Sequence, residues 1–597
     1  MEPPGSTSDE DPPKGSVAAA APRKSLLNAS AAGAAFLVLV QVLSRLLTFV
    51  MNQLLIRYLS PAILGEAAQL ELYMMTILFF SRESLRMALQ RQSEAEDDVN
   101  TTDGDKNNNK NDDGRIIEGT IRGQAQTVVN SSYLAVPIGI VVVIALYLLQ
   151  IVYNHLWPSE SPAAATGYFG LSMVVYAIAS LVELLSEPGF AVAQQRLLYS
   201  LRAGCESVAV ISNCAVTLAI TVLASKYWGG DGGEGLETLP FAVGQVVFAG
   251  CLVFGYPLRL WRIAKGDGWS LLPRRIYLRT GHAYYLHKPT ISVARTMWLQ
   301  SVVKHLLTQG DSILVTRLAT TYEQGIYALA ANYGSLIARL LFRPIEETSR
   351  NLLSKLLNTD DDSNPTDEGK GKEKKVKPVT KENITEALTI LHLILRFYTI
   401  LSTLIATLGP TLAPLALRKV AGARWADSPA AVTLSNYCYY IPLLAINGIT
   451  EALVQSVATT EDLKRQSMWM LGFSGVFGVA SWGFVKVLEM GADGLVWANC
   501  VNMGMRILWS VGFIRGYFGK VSGGRGVEVG KVVPGGLLVA VAVGVGAVAR
   551  RVVGQRGLLE DYVKGAGLAG VVGVVCLYSE RHFFMECYRL FKRARRG

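Results

Sequence analysis

The chain is poor in charged side chains: of its 597 residues only 17% are Asp, Glu, Lys or Arg, whereas 50% are hydrophobic. A water-soluble protein of this length carries charge on about a quarter of its residues. Apolar runs of about 20 residues, long enough to cross a bilayer as helices, recur from Ala31 to Tyr578. The composition excludes a soluble globular enzyme and predicts an all-α polytopic membrane protein.

The sequence also lacks the motifs of nucleotide-driven and covalent chemistry. It contains no G-x-x-x-x-G-K-[S/T] loop, no Ser/His/Asp or Cys/His constellation, and no C-x-x-C pair among its seven cysteines. We therefore expect no enzyme activity, no cofactor and no metal site. In a membrane protein, the net charge of +10 marks cytosolic loops more often than a nucleic-acid site. Membrane lipids, and no nucleic acid, are the expected partners.

Apolar windows predict about fourteen transmembrane helices. A disordered N-terminus (1–25) precedes an N-lobe of six helices (26–263) that includes a polar insertion at 91–120. A basic linker (264–290) leads to a C-lobe of six more helices (291–520), with a second polar insertion at 358–382. Two further helices (531–580) and a basic tail (581–597) complete the predicted organisation.

The distribution of Lys and Arg predicts the orientation of these helices. The linker after the sixth helix is rich in Lys and Arg, whereas residues 153–167, after the third helix, contain neither. The positive-inside rule then places both termini in the cytosol. Basic residues near the loop between the last two helices, such as Arg550 and Arg551, are an exception. Four N-x-S/T sequons fall on the cytosolic side or at a span boundary and are expected to be unmodified: Asn28, Asn100, Asn130 and Asn383.

An internal repeat is visible when the sequence is shifted by 260 positions. The first helix and the start of the second then align with the seventh and eighth helices. Identical pairs beyond the common aliphatic residues are Thr48/Thr308, Arg57/Arg317, Gly65/Gly325 and Tyr73/Tyr333. Six helices separate the two copies, so both have the same orientation. Parallel repeats of this kind form two lobes around a central cavity in some transporters.

Charged residues lie inside the predicted helices, where an unpaired charge is costly. Five arginines stand on the first, second and eighth helices: Arg45, Arg82, Arg86, Arg339 and Arg343. Guanidinium groups bind phosphate oxygens bidentately, so these five are the predicted site for a diphosphate. Other residues expected to line the cavity or pair helices are Glu83, Glu183, Lys304, Asp311, Glu346, Glu347, Arg396, Glu451 and Arg506. The alternative is internal pairing, such as Arg82 with Glu183 or Arg343 with Glu346.

Several longer motifs resemble one known family. They are Gln41–Phe49, Arg57–Ser60, Ser81–Arg86, Val182–Pro188, Gly325–Glu347, Leu444–Glu451 and Ala498–Arg506. Together they resemble the eukaryotic Rft family of endoplasmic-reticulum proteins required for N-glycan precursor assembly. The resemblance extends from about Leu26 to the last helix, apart from the two polar insertions.

The resemblance implies the fold of the multidrug/oligosaccharidyl-lipid/polysaccharide flippase superfamily, which includes the bacterial lipid II flippase. It implies translocation of dolichyl-diphosphate-linked Man5GlcNAc2 from the cytosolic to the lumenal leaflet of the endoplasmic-reticulum membrane, by alternating access without nucleotide hydrolysis. Cavity arginines of the lipid II flippases correspond to Arg45, to Arg82 or Arg86, and to Arg339 or Arg343. Interleaved acids, among them Glu83 and Glu346, depart from that pattern.

Two other functions remain open from the sequence. One is a non-transporting accessory protein of the same pathway. The other is a cation-coupled antiporter, which is expected to depend on a carboxylate such as Asp311 or Glu71 rather than on the arginines.

Overall fold

The computed structural model describes residues 44–90, 116–156, 167–227, 236–278, 282–357, 380–521, 527–553 and 558–594. The described chain is almost wholly helical, apart from three two-residue strands. Nine of its helices, or ten if one bent pair counts as a single span, are long and apolar enough to cross a membrane. The polytopic all-α prediction is confirmed, while the count of fourteen spans remains a prediction.

The first repeat contains eight helices. They are α1 (Ser44–Ile56), α2 (Pro61–Gln90), α3 (Ile121–Ser132), α4 (Ala135–Leu156), α5 (Phe169–Leu184), α6 (Glu187–Gln195), α7 (Tyr199–Tyr227) and α8 (Leu239–Asp267). Helices α3 and α4 together form one candidate span, and α5 and α6 are a pair bent by 41°. Pro188 lies in the first turn of α6, where proline is tolerated because that N–H has no partner within the helix.

The second repeat contains six helices. They are α9 (Lys288–Leu318), α10 (Thr321–Leu357), α11 (Lys381–Val420), α12 (Ala430–Val457), α13 (Thr460–Val487) and α14 (Gly491–Val521). The single-turn helices Ala423–Ala426 and Val529–Val532 lie in the connections. Three further helices follow: α15 (Gly536–Val552), α16 (Leu558–Ser579) and α17 (Arg581–Ala594). The sequence analysis treated the tail as basic only and did not predict α17.

The two repeats meet at a pair of equivalent glycines. Gly65 of α2 and Gly325 of α10 are packed so closely that a Cβ on Gly65 would lie 1.9 Å from the carbonyl oxygen of Thr321. A Cβ on Gly325 would lie 1.7 Å from the carbonyl oxygen of Pro61. Pro61 and Thr321 are themselves 260 positions apart, so the contact is reciprocal, as expected for two parallel copies of one unit. We call this end of the bundle the crossing end.

Further contacts join the repeats near the crossing end. The Arg57 guanidinium, just after α1, donates to the carbonyl oxygens of Lys419 and Val420, both at 2.9 Å. These carbonyls belong to the last turn of α11, where helix carbonyls lack partners and attract cations. The indole N–H of Trp425 donates to the Ile56 carbonyl at 2.8 Å. The crossing end is therefore closed by backbone contact and by directed hydrogen bonds.

Helices α2 and α10, which touch at the crossing end, each contain a π-helical turn at nearly equivalent positions. A π-helical turn covers Phe79–Glu83 in α2, and another covers Ala338–Phe342 in α10. Such turns frequently occur at functional sites, because the extra residue disturbs the regular hydrogen bonding of the helix. The turn in α10 also precedes Pro344, which has no N–H to donate. The helix continues through Pro344.

The connection between the two repeats is bound to the first one. Strands β1 (Ile116–Ile117), β2 (Ile276–Tyr277) and β3 (Ala283–Tyr284) form a small sheet in that order, with β1 parallel to β2 and β2 antiparallel to β3. Residues 116–120 of the first polar insertion are therefore partly ordered as β1. Residues 91–115 and 358–379 of the two insertions lie outside the described residues.

Asn130 of α3 holds this connection in place. Its amide Nδ2 donates to the carbonyl oxygens of Arg274 at 2.6 Å and Tyr285 at 2.8 Å. Its Oδ1 accepts from the Arg274 N–H at 3.1 Å. Only 3% of the residue is exposed, so the nitrogen that a glycan would need is both buried and engaged. This geometry agrees with the expectation that the sequon is unmodified.

Candidate functional site

A cavity of about 450 Å³ lies beside the π-helical turn of α2. Its walls come from α2, α5 and α8 of the first repeat and from α9 of the second. The lining residues are Met74, Met75, Leu78, Phe79, Arg82, Glu83, Arg86, Glu183, Gln245, Phe248, His305 and Gln309. Both repeats therefore contribute to one polar cavity, which is the arrangement that the sequence repeat predicted.

Local geometry explains how the charged side chains come together. Arg82 and Arg86 are one helical turn apart and therefore share a face of α2. Glu183 and Glu187 have the same spacing, and the bend between α5 and α6 falls between them. The two arginines of α2 therefore face two glutamates, Glu183 at the end of α5 and Glu187 at the start of α6.

Four of these side chains form a buried ion-pair cluster. Arg82 Nη1 lies 2.7 Å from Glu183 Oε1 and 3.8 Å from Glu187 Oε2. Arg86 binds Glu187 with two donors, one of them Nη2 at 2.8 Å from Oε2. Glu183 also accepts from Gln245 Nε2 at 3.3 Å. The glutamates are 3% and 1% exposed, so they depend on these partners, because an uncompensated buried charge is strongly destabilising.

Further polar and aromatic contacts lie around this cavity. Lys304 Nζ lies 2.9 Å from Glu83 Oε1. The His305 ring packs against Phe79 and Phe80, with ring centroids 4.8 and 4.9 Å apart. His305 Nε2 also lies 3.2 Å from Thr76 Oγ1. The cations at this cavity are therefore matched by carboxylates, so two of the five predicted diphosphate ligands, Arg82 and Arg86, are internally paired.

The other three predicted arginines form no ion pair within the described part of the chain, although the charge of Arg343 acts on the nearby Glu346 carboxylate. Arg339 donates from Nη2 to the carbonyl oxygen and Oδ1 of Asn332, at 2.8 and 2.9 Å. Arg45 and Arg343 are exposed, as Arg339 is, and no ion pair forms between Arg343 and Glu346. The Glu346 carboxylate instead packs on Gly448, where an added Cβ would lie 1.7 Å from its Oε1.

Other predicted residues do not line this cavity. Arg396 of α11 binds Glu580 Oε2 through Nε and Nη2, at 3.0 and 2.8 Å. Glu580 Oε1 accepts from the Gly535 N–H at 2.6 Å. Glu451 accepts from Asn447 Nδ2 at 3.2 Å. Arg396 therefore joins α11 to the end of α16, whereas this contact of Glu451 lies within α12, and Glu347 is exposed.

Asp311 lines a second, smaller cavity of about 260 Å³ next to the first. Met75 and Gln309 belong to the walls of both cavities, and Glu71 faces the second one. Asp311 Oδ2 accepts from Asn502 Nδ2 at 3.3 Å, while its Oδ1 is buried without a hydrogen bond. The Nε of Arg506, another predicted cavity residue, is likewise buried without a hydrogen bond.

Glu187, Gln245 and Glu580 belong to these networks but are not among the site residues predicted from the sequence. Gln245 is an uncharged residue in an apolar run, and no pattern distinguishes it there. Glu580 directly follows the last apolar run, and an acid at that position is a signal that a search for partners of Arg396 could have used.

A family model described as "Rft protein" matches residues 29–590 of the chain. The Yarrowia lipolytica protein named "Man(5)GlcNAc(2)-PP-dolichol translocation protein RFT1" is 34% identical over 545 residues, which cover 87% of this chain and 75% of that protein. The Saccharomyces cerevisiae protein of the same name is 33% identical over 510 residues, covering 81% and 82%.

Among solved structures, one titled "Lipid II flippase MurJ, inward closed conformation" is similar to the whole chain. The TM-score is 0.53 at 11% sequence identity, and the match covers 91% of this chain and 99% of that one. At this identity the likeness shows the fold. The chain therefore shares the polytopic helical fold of that structure.

Proposed function

Because the chain belongs to the Rft protein family, we propose that it moves dolichyl-diphosphate-linked Man5GlcNAc2 from the cytosolic to the lumenal leaflet of the endoplasmic-reticulum membrane. The names of the Yarrowia and Saccharomyces relatives support this substrate and this process. The lipid partner is the substrate itself, and no nucleotide or cofactor takes part.

The observation that carries the proposal is the charged cavity walled by both repeats. A flippase must give a polar headgroup a hydrated path while its lipid chain stays in the hydrocarbon core. The cavity beside Arg82 and Arg86 contains two arginines, two glutamates, two glutamines and a histidine among its lining residues. Polar side chains at this depth in a bilayer are tolerated where they face such a cavity.

We assign the diphosphate first to the unpaired arginines. Under the 260-residue offset, Arg45 of α1 is equivalent to His305 of α9, which packs on the π-helical turn of α2. The repeat therefore relates Arg45 to the π-helical turn of α10, which contains Arg339 and is followed by Arg343. None of these three guanidinium groups forms an ion pair within the described residues, so a diphosphate can supply a close anionic partner.

Arg82 and Arg86 contribute by exchange of partners. The carboxylates of Glu183 and Glu187 hold the two guanidinium groups in the cavity wall when no anionic ligand occupies the cavity. A diphosphate that reaches them can replace Glu183 as a ligand of Arg82 only where water or Gln245 can solvate the released carboxylate. The paired state then prevents a permanent positive field, which would trap the headgroup rather than pass it on.

Orientation follows from the basic linker and tail, which we place in the cytosol by the positive-inside rule. The crossing end is then lumenal, and its closure by Gly65, Gly325 and Arg57 describes a state that is sealed on the lumenal side. Rocking of the two lobes about this contact would open the opposite side in turn.

Reconstitution tests the proposal. Purified protein in liposomes is assayed for movement of labelled Man5GlcNAc2-diphosphate-dolichol between leaflets. We expect at least a tenfold loss of rate when Arg45, Arg339 and Arg343 are all changed to alanine, since three phosphate ligands are removed. The matched control removes three exposed cations of α13, Lys464, Arg465 and Lys486, and is expected to keep the wild-type rate.

Two results would contradict the proposal. Equal loss in both triple variants would mean that total charge, and not the arginine set, matters. A wild-type protein that binds the lipid without moving it would instead be an accessory protein of the pathway.

The second cavity favours one further candidate function, cation-coupled exchange. Glu71 and Asp311 both line it, and carboxylates inside a membrane commonly bind coupling ions. Changing Asp311 to asparagine should leave lipid movement intact if the flippase proposal is correct. A dependence of transport on Asp311 and on a cation gradient, with the arginine triple variant fully active, would favour the exchanger.

A further inference from the structure

A third cavity, of about 360 Å³, lies in the second repeat between α10, α11 and α12. It is separate from the two charged cavities and shares no lining residue with them. Its size falls within the range of ligand pockets, about 300–1,000 Å³. Its wall is almost entirely carbon: aliphatic side chains together with Gly334, Gly409, Ala413 and Ala416.

The polar atoms in this wall are already engaged. The Tyr333 hydroxyl donates to Gln53 Oε1 at 2.5 Å, and the Cys438 thiol donates to the Leu434 carbonyl at 3.4 Å. Pro414 cannot donate to the carbonyl of Pro410, but the Ser435 hydroxyl does so at 2.8 Å. An ion, a phosphate or a sugar would find nothing to bind here, whereas a hydrocarbon chain would leave no polar group unsatisfied.

Small residues on α11 shape the cavity. Gly409, Ala413 and Ala416 follow the helical spacing of four and three positions and so share one face. Gly334 of α10 also allows α12 to approach closely, because a Cβ at that position would lie 2.1 Å from the Tyr437 ring. The result is a trough on α11 with aliphatic walls on both sides.

The position of the trough connects it to the boundary between the repeats. Tyr333 borders the cavity, and its partner Gln53 belongs to α1 of the first repeat. Ala416 in the same wall is exposed. The trough therefore adjoins the seam along which a lipid must lie if its headgroup is between the repeats and its chain is in the membrane.

We propose that this trough binds a stretch of the polyisoprenoid chain of the lipid substrate. The inference rests on the proposed function, which supplies a lipid whose headgroup lies between the repeats. Transfer of a chain from lipid to protein gains no hydrophobic energy, so binding depends on packing. The methyl branches of an isoprenoid fit a trough of small residues between bulky walls, and contacts of this kind are individually weak but add up.

Photocrosslinking tests the proposal on the wild-type protein. A polyprenyl diphosphate with a diazirine in its chain is compared with a phospholipid that carries the same diazirine in a straight acyl chain. Both probes are added to protein in liposomes, and adducts are mapped by mass spectrometry. We expect at least tenfold more labelling of α10–α12 by the polyprenyl probe. Equal labelling by the two probes, or polyprenyl adducts elsewhere only, would overturn the proposal.

The second measurement uses a variant whose larger side chain fills the trough. Ala413→Phe should reduce polyprenyl labelling at least tenfold, while the control Ala566→Phe, at an exposed position of α16, should leave it unchanged. If the phenylalanine prevents folding, Ala413→Leu is used in its place. Movement of the labelled oligosaccharide lipid is assayed in parallel. Transport by a wild-type protein that is not labelled in the trough would refute the chain site alone, whereas absence of transport would refute the proposed function.

Discussion

The glycine pair at the crossing end offers a direct test of the architecture. Changing Gly325 to alanine places a methyl group 1.7 Å from the Pro61 carbonyl oxygen and within 2.9 Å of the Gly65 nitrogen. Both obstacles are backbone atoms of a neighbouring helix, so no side chain can rotate away. The helices α2 and α10 must separate for the methyl group to fit.

The energetic consequence can be estimated from overpacking in other proteins. An extra methylene in a close-packed site typically destabilises by about 1–3 kcal/mol. Because the contacts here are with backbone, we expect the upper end, about 3 kcal/mol. Since about 1.4 kcal/mol corresponds to a factor of ten in an equilibrium constant, the closed crossing should lose about a hundredfold in population relative to a state in which these helices are apart.

The assay is a distance measurement between the repeats. Spin labels are placed at Ala62 and Tyr322, which are equivalent positions under the 260-residue offset. We expect the short distance of the wild type to be replaced by a longer one in Gly325→Ala, and lipid movement to fall with it. Gly544→Ala is the matched control, because a Cβ at that position meets no atom within 4 Å. A distance distribution for Gly325→Ala that matches the control would refute the reasoning.

Three further predictions concern the polar networks. Asn130→Ala removes three hydrogen bonds to the inter-repeat connection. At about 1 kcal/mol for each bond, we expect the protein to lose about 3 kcal/mol of stability and the connection to be proteolysed faster. Unchanged proteolysis would contradict the role of Asn130. Glu187→Gln leaves Arg86 without its carboxylate partner and should lower the thermal unfolding temperature. Adding Arg86→Gln should largely restore that temperature, because the buried charge is then removed as well. A double variant no more stable than the single one would show that the pair is not coupled. Glu580→Gln should destabilise the packing of α16 and α17 on α11, seen as faster hydrogen exchange in α17, and exchange at the wild-type rate would exclude Arg396 as the anchor of that end.

Much of the fold could be predicted from the sequence because a bilayer restricts the possible structures. Backbone groups in hydrocarbon must be satisfied within the chain, so long apolar runs form helices. The interior of each helix was therefore predictable, whereas its ends were not. Helix α11, for example, extends over Lys381–Val420. Its polar first turn is capped by Thr380, and the carbonyls of its last turn accept hydrogen bonds from Arg57.

The charged site was predictable in composition but not in pairing. The sequence predicts Arg82 and Arg86 as diphosphate ligands, with a pairing of Arg82 and Glu183 as the alternative. Which alternative holds depends on the bend between α5 and α6 and on the approach of α2 to that bend. Those are distances between helices far apart in sequence, and no local pattern encodes them.

By itself, the sequence determined that the chain forms membrane helices, that two copies of one unit follow each other, and that the copies share a glycine at the same position. The tertiary structure alone decided that those glycines touch and that an apolar trough borders the seam. It also decided that Arg82 and Arg86 are paired with carboxylates, while Arg45, Arg339 and Arg343 form no ion pair in the described chain. The physical reason is that hydropathy and repeat symmetry are properties of single segments, whereas charge compensation and cavities arise from how several segments pack.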